Sequence, residues 1–130
     1  EESIGLLRQA VELRPPGRAN RSSSLHELAL CLSDRHDERG IVDDLEEAIT
    51  LGRAVLELCP PEHVDRGVSL HNLACDLRRR FAKEHVIDNL KEAIELLRPA
   101  LELRPNGHPD RSSSLHELAL CLSNWHDKYG

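Results

Sequence analysis

"RSSSLHELALCLS" occupies residues 21–33 and recurs letter for letter at 111–123. A chemical site rarely needs two identical copies, and one globular core has little use for them. Shifting the sequence by 45 residues gives the reason. Arg21, Arg66 and Arg111 then coincide, as do Leu25, Leu70 and Leu115, and Leu28, Leu73 and Leu118. Further along, Leu45 matches Leu90, Ala48-Ile49 matches Ala93-Ile94, and Pro15, Pro60 and Pro105 share a phase. "RGVSLHNLACDLR" at 66–78 is a diverged middle copy. The chain is a repeat array, and the duplication is structural before it is functional.

Each repeat reads as two helices. In the first, Leu25, Leu28, Ala29, Leu32 and His36 recur at helical spacing and form one apolar stripe. Asn20, Asp65 and Asp110 take the N-cap phase, where a short side-chain oxygen satisfies an orphan backbone N–H. Gly40 and Gly130 sit where a glycine ends a helix, with His85 in the middle copy. The second helix opens with Asp43 and Asp44 at its positive end, and Pro60-Pro61 stops it. Six helices are predicted, at about 1–14, 20–38, 43–58, 65–83, 88–103 and 110–128. The expected organisation is one array. Residues 1–19 hold the second helix of a truncated repeat, 20–64 and 65–109 are full repeats, and 110–130 hold a first helix alone.

Composition agrees. Hydrophobic residues make up 39% of the 130, but Phe, Trp and Tyr occur once each and Met never, so Leu, Ile, Val and Ala must build the core. Such a core suits packed helices. A net charge of −6 argues against nucleic-acid binding, which calls for a basic surplus. No run approaches the roughly 18 apolar residues of a membrane span. Cys31, Cys59, Cys75 and Cys121 match no zinc spacing, and read as reduced, small apolar residues of a cytoplasmic protein rather than as a disulfide framework.

Ala29, Ala74 and Ala119 in the first helices, Ala48 and Ala93 early in the second, Ala100 seven residues later and Pro60 and Pro105 beyond resemble the tetratricopeptide repeat (TPR) signature. The period exceeds the common form of about 34 residues. It is similar to the long-repeat variety of kinesin light chain and of large fungal and bacterial signalling proteins. "HPDRSSSLHELA" at 108–119 and "SLHNLA" at 69–74 resemble the linker and first helix of those repeats, and "DLEEAI" at 44–49 and "NLKEAI" at 89–94 resemble the start of their second. HEAT repeats, of about 40–47 residues, are the second candidate, but nothing here resembles their interior proline pattern. The resemblance implies an all-α solenoid of antiparallel helix pairs, wound as a right-handed superhelix. Val55 departs from the pattern at one later alanine. So do His36 and His126, which take the phase of Phe81, where such families place an aromatic. A neutral, hydrogen-bonded core histidine is expected there.

Catalytic and metal motifs do not materialise. "HEL" at 26–28 and 116–118 would open an HExxH motif, but Leu30 and Leu120 hold the closing position. Ser24 and His26 have no nucleophile elbow, and Cys31 and His36 lie about 140° apart around a helix. His26, His71 and His116 would sit on helices ~8–10 Å apart, too far to share one metal. No enzyme activity, cofactor or metal is expected.

What remains is surface. The resemblance implies that first helices line a concave groove holding a peptide or a partner's helix. Opposite the core stripe stand Ser23, Glu27, Leu30 and Asp34; Val68, Asn72, Cys75 and Arg79; and Ser113, Glu117, Leu120 and Asn124. Asn72 falls on the asparagine that in the long-repeat family often bonds a peptide backbone, whereas Glu27 and Glu117 replace it in the other copies. Residues 66–83 carry a local +4 and residues 43–58 a local −4. One reading makes the acidic helices a solvated convex face. The other makes Arg78 and Arg79 a basic spot for a ligand with an acidic centre.

The leading expectation is a non-enzymatic scaffold for a protein or peptide partner, with no nucleic-acid or membrane role. The alternative is the regulatory arm of a larger nucleotide-binding or caspase-like signalling protein acting by self-assembly. End-to-end self-association is also expected, through an uncovered face on the first helix (Ile4, Leu7, Val11) and another on the last (Leu115, Leu118, Leu122).

Overall fold

A computed structural model describes residues 2–13, 19–58, 66–104 and 107–129. Six helices account for almost all of them, and the described residues contain no strand: α1 (Glu2–Leu13), α2 (Ala19–Arg39), α3 (Val42–Leu58), α4 (Arg66–Glu84), α5 (Ile87–Glu102) and α6 (Arg111–Tyr129). Pro15, Pro60, Pro61, Pro105, Asp65, Cys59 and Gly130 lie outside the described residues, as do the side chains of Asn20, Arg21 and Ser23. The chain divides into two compact units, Glu1–His63 and Val64–Gly130.

In the first unit α2 pairs with α3 and carries α1 on another flank. Four of the five stripe residues face inward: Leu25, Leu28, Leu32 and His36 are buried while Ala29 is half-buried, and Leu45, Ala48, Ile49 and Val55 are the buried apolar residues of α3, which pairs with α2. Burying each leucine is worth about 1.5–3 kcal/mol, which holds a helix of otherwise mediocre propensity in place. Ile4 is buried against Leu28, Leu32 and Ala48, with Leu7 and Val11 packed beside it. The expectation that these three residues lie uncovered is therefore corrected. α1 lays that stripe on α2, and the apolar residue it leaves in solvent is Leu6, 60% exposed.

The α2–α3 turn is closed by backbone and ring together. Gly40 adopts a left-handed φ of 68° and its N–H donates to the His36 carbonyl at 2.7 Å. The His36 ring donates from Nδ1 to the Ile41 carbonyl at 3.1 Å, so this buried histidine is hydrogen-bonded as expected. Beyond the turn, Arg35 grips Asp44 with Nε and Nη2, both at 2.7 Å. That fork holds the Asp44 carboxyl below the usual carboxylate range, against the opposing effect of burial. A second ion pair, Arg8 with Glu47, ties α1 to α3.

The second unit repeats the hairpin with α4 and α5, and α6 packs on α5 and touches α4. Leu70, Leu73, Ala74, Leu77 and Phe81 are buried against Leu90, Ala93, Leu97 and Ala100. His85 takes the turn position of Gly40 and accepts a left-handed φ of 59°, while its ring packs edge-on against Phe81 at 6.0 Å. The strain of ~1–2 kcal/mol is largely offset by that ring contact, worth ~0.5–1.5 kcal/mol. Where α3 receives Asp44, α5 offers Asn89, which accepts from Arg80 at 3.5 Å and leaves its own buried Nδ2 without a partner. Pro99 sits inside α5 without ending it, on the exposed side.

α6 begins directly after Asp110, whose carbonyl accepts from Ser114 N–H at 3.4 Å, as an N-cap residue's does. Asn20, by contrast, lies inside the first turn of α2, because that helix already includes Ala19. Arg111 donates from Nη1 to the carbonyls of Leu101 and Arg104 at 2.9 and 2.6 Å, satisfying the negative end of α5. The stripe of α6 is only partly closed. Leu115 is 46% exposed, Leu118 and Leu122 are half-buried, and Ala119 and His126 face solvent. His126 is therefore not the core histidine its phase implied, since within this unit no second-type helix closes that side of α6.

Two outcomes test this account. Gly40→Ala should destabilise the protein by about 1–2 kcal/mol in denaturant melts with an unchanged m-value, because nothing crowds the new Cβ and only the left-handed backbone objects. Asp44→Asn should cost about 1.5–3 kcal/mol at pH 7. The folded pKa of Asp44 is depressed, so its contribution is complete above the unfolded value near pH 4 and is lost as pH falls through the folded one. The gap between variant and wild type should therefore close in acid.

Candidate interaction surface on α4 and α6

The side chains selected by phase fall on both units. In the first, Glu27 and Asp34 are exposed and Leu30 half-buried on α2. In the second, Val68, Asn72, Cys75, Arg78 and Arg79 are half-buried on α4. On α6, Ser113 is exposed, Leu120 and Asn124 are half-buried, and Glu117 is buried. Glu117 and Glu27 share a phase and differ in burial because α4 lies against α6 within the second unit, whereas α2 is flanked only by α1 and α3 within the first.

The structure brings three of these residues into contact. Arg78 pairs with Glu117 through Nε and, at 3.3 Å, through Nη2, bolting α4 to α6. The pair raises the Arg78 pKa. Cys75 lies beside the same carboxylate, and its thiol is pushed up to about 12, by burial first and by Glu117 second. Buried Cys121, from the next turn of α6, also rises to about 12 for the same two reasons. Arg79 pairs with Asp76 on its own helix at 2.9 Å. Of the two readings of this charge, the basic spot loses its support: Arg78 and Arg79 each hold a carboxylate, and their charge is locally neutralised.

Beneath this layer runs a polar chain that the phase argument did not select. Buried Arg104 donates from Nη1 to Ser114 Oγ at 2.8 Å, and Ser114 Oγ meets His71 Nδ1 at 3.1 Å. His71 Nε2 in turn lies 3.5 Å from Cys75 Sγ. Burial, and then the Arg104 charge, lower the His71 pKa. A partial signal existed, because Ser24, Ser69 and Ser114 share one phase and all three are buried. Arg104 gave a broken one: Arg14 shares its phase two periods back, but the repeat between them has Cys59 there.

Chemically the arrangement is a fixed base bearing adaptable side chains. Thiols with pKa values near 12 stay protonated and inert at neutral pH. Among the described residues no group of three or more His, Cys, Asp or Glu is placed to hold a metal ion. Nor is any described helix long and apolar enough to cross a membrane.

Comparison with known proteins agrees with the fold. The chain is similar to a crystal structure of a Podosopora anserina protein assigned as kinesin light chain with nearly identical TPR-like repeats. The match has a TM-score of 0.70 and 27% sequence identity, and it covers 92% of this chain and 56% of that one. This chain therefore spans a little over half the length of that protein. No family model matches the sequence, and no curated protein does.

Removing one partner from the α4–α6 bolt strands the other. Arg78→Ala and Glu117→Ala should each cost about 1.5–3 kcal/mol, with the double variant well short of their sum. Additive losses would mean that the pair carries no coupling. Thiol titration at pH 8 should leave Cys75 and Cys121 unmodified until the protein unfolds.

Proposed function

We propose that this chain, a TPR-like helical repeat array, is a non-enzymatic scaffold that holds a peptide or protein partner on the surface of α4 and α6. The observation that carries the reading is the fold itself, an array of paired helices like that of the Podosopora protein, with its interior polar groups committed to holding helices together. The side chains left to contact a partner are Asn72 and Arg79 on α4, and Leu120 and Asn124 on α6. Around Arg79 and Asp76 the charges already balance, so the favoured partner is an extended peptide or a helix bound by backbone hydrogen bonds and apolar contact. Residues 20–64 and 65–109 act as full repeats in this reading. The free thiols of Cys31, Cys75 and Cys121, none of them in a disulfide, support a reducing, cytoplasmic setting. Partners of the array include further copies of itself.

The test is an array of overlapping peptides probed with the folded protein. Peptides that bind should lose at least tenfold in affinity, about 1.4 kcal/mol, when Asn72 and Asn124 are both replaced by Ala. The melting curve should stay close to wild type. Binding unaffected by the double change would move the site off α4 and α6.

A further inference from the structure

We infer that the chain Arg104–Ser114–His71–Cys75 is a proton-operated latch between α4 and α6, closed while the His71 imidazole is neutral and opened when it takes a second proton. The inference rests on the scaffold reading only for what the latch governs, the joining of the two helices that carry the partner surface.

Donors and acceptors set the direction of the chain. The Arg104 guanidinium has donors only, so Ser114 Oγ accepts its bond at 2.8 Å. The Asp110 carbonyl already accepts from Arg104 and from the Ser114 N–H. The Ser114 hydroxyl proton therefore goes to His71 Nδ1, 3.1 Å away. With Nδ1 accepting, the single N–H of the neutral ring lies on Nε2, which faces Cys75 Sγ at 3.5 Å. The Cys75 thiol directs its own S–H to Glu117, whose carboxylate Arg78 also holds. The same order denies Cys75 a base. His71 has no lone pair facing the sulfur, so the two are not a nucleophile and its activator.

A second proton must enter at Nδ1, and the half-buried ring can take it from solvent. Nδ1 then becomes a donor. The imidazolium and the Arg104 guanidinium would both point an N–H at Ser114 Oγ, and the hydroxyl proton would lose its acceptor. Water cannot screen that contact, since Ser114 has no exposed surface and Arg104 is buried. Charged groups face the ring from every side. Arg104, just after α5, and Arg79 of α4 oppose the proton, whereas Glu117 of α6 and Asp110 ahead of it favour it. Glu117 is already committed to Arg78 and Cys75, and Asp110 stands exposed to solvent. Burial, and then the Arg104 charge, prevail, and hold the ring below the ordinary histidine value of 6.5 while the seam is closed.

Because α6 packs mainly on α5 and only touches α4, the α4 seam can part first. Once it parts, the ring returns to water and regains a value near 6.5. The open form therefore binds a proton that the closed form refuses. Above the ordinary value both forms are neutral, and pH has no leverage. Below it, the ratio of open to closed rises about tenfold per pH unit until the closed form's own pKa is reached. The latch belongs to this seam. One repeat earlier Leu30 and Cys59 stand at the phases of Cys75 and Arg104, so His26 has neither a thiol nor a guanidinium at the corresponding positions.

Magnetic resonance of the protein labelled with nitrogen-15 in its histidines reads the latch directly. At about pH 7.5 His71 should carry its proton on Nε2, with Nδ1 at the shift of an unprotonated, hydrogen-bonded nitrogen. Between about pH 6.5 and about pH 5.5, hydrogen exchange corrected for the intrinsic rate should show opening of the α6 amides rising severalfold, to a ceiling of about tenfold. His71→Asn offers Ser114 an acceptor that does not titrate and should flatten that rise, whereas His26→Asn should leave it intact. A proton on Nδ1 at about pH 7.5 overturns the inference, and does so in the wild-type protein whether or not a variant folds. Exchange of α6 that ignores acid in the wild type overturns it as well, as does a rise equally steep in His71→Asn or one lost in His26→Asn. Neither measurement contains a partner, so the peptide array can fail and leave the latch standing, and the reverse.

Discussion

Everything in this molecule follows from one demand, that the leucine stripe of a first-type helix be closed by second-type helices. α2 meets it from two flanks, with Ile4 of α1 and Ala48 of α3 converging on Leu28 and Leu32. At about 1.5–3 kcal/mol per buried leucine, the stripe supplies far more than helix propensity can. The alanines are small because the covering helix must come close. Ala74, Ala93 and Ala100 have no exposed surface at all. The turns obey the same demand. They must reverse the chain within about two residues, and a left-handed φ at Gly40 and His85 does so even though His85 is poorly suited to it.

That demand is also what made the fold legible. Burial repeats with the period, so apolar phases read from letters alone match the buried positions of α2 through α5, and every helix boundary falls within about two residues of its expected place. Phase alone does not tell one position in the array from another, although the expectation that α6 leaves Leu115 uncovered is met. Leu25 and Leu115 are the same letter in the same context, and only the neighbours present decide that one is buried and the other open. The same reasoning separates His36 from His126. Ile4 was misjudged in the opposite direction: a helix without its own first-type partner still has α2 of the next repeat to lie on.

For the surface of α4 and α6, phase selected positions but not partners. Arg78 and Glu117 are 39 residues apart, and so are Arg8 and Glu47. Both pairs join a helix to its counterpart one repeat on, and a separation of one period less a turn or two is a signal that charge counting overlooks. Reading +4 over residues 66–83 treated the arginines as available, when Arg78, Arg79 and Arg80 were each already holding a carboxylate. The link from Arg104 through Ser114 to His71 was hidden for a different reason. Its arginine skips a repeat: Arg14 and Arg104 share a phase, but Cys59 stands at that phase between them, so the recurrence is easily missed.

Trp125 gives the array an unplanned spectroscopic property. It is the molecule's single tryptophan, half-buried on α6 with its ring 4.7 Å from that of Tyr129, and the first unit contains no aromatic residue other than histidine. Intrinsic fluorescence is therefore blind to the leucine core around α2. Its emission follows the wetting of one helix face, so a fluorescence melt tracks the loosening of α6, while far-ultraviolet dichroism follows all six helices. Where the two curves separate, the difference measures how independently the last helix comes away from the rest of its unit.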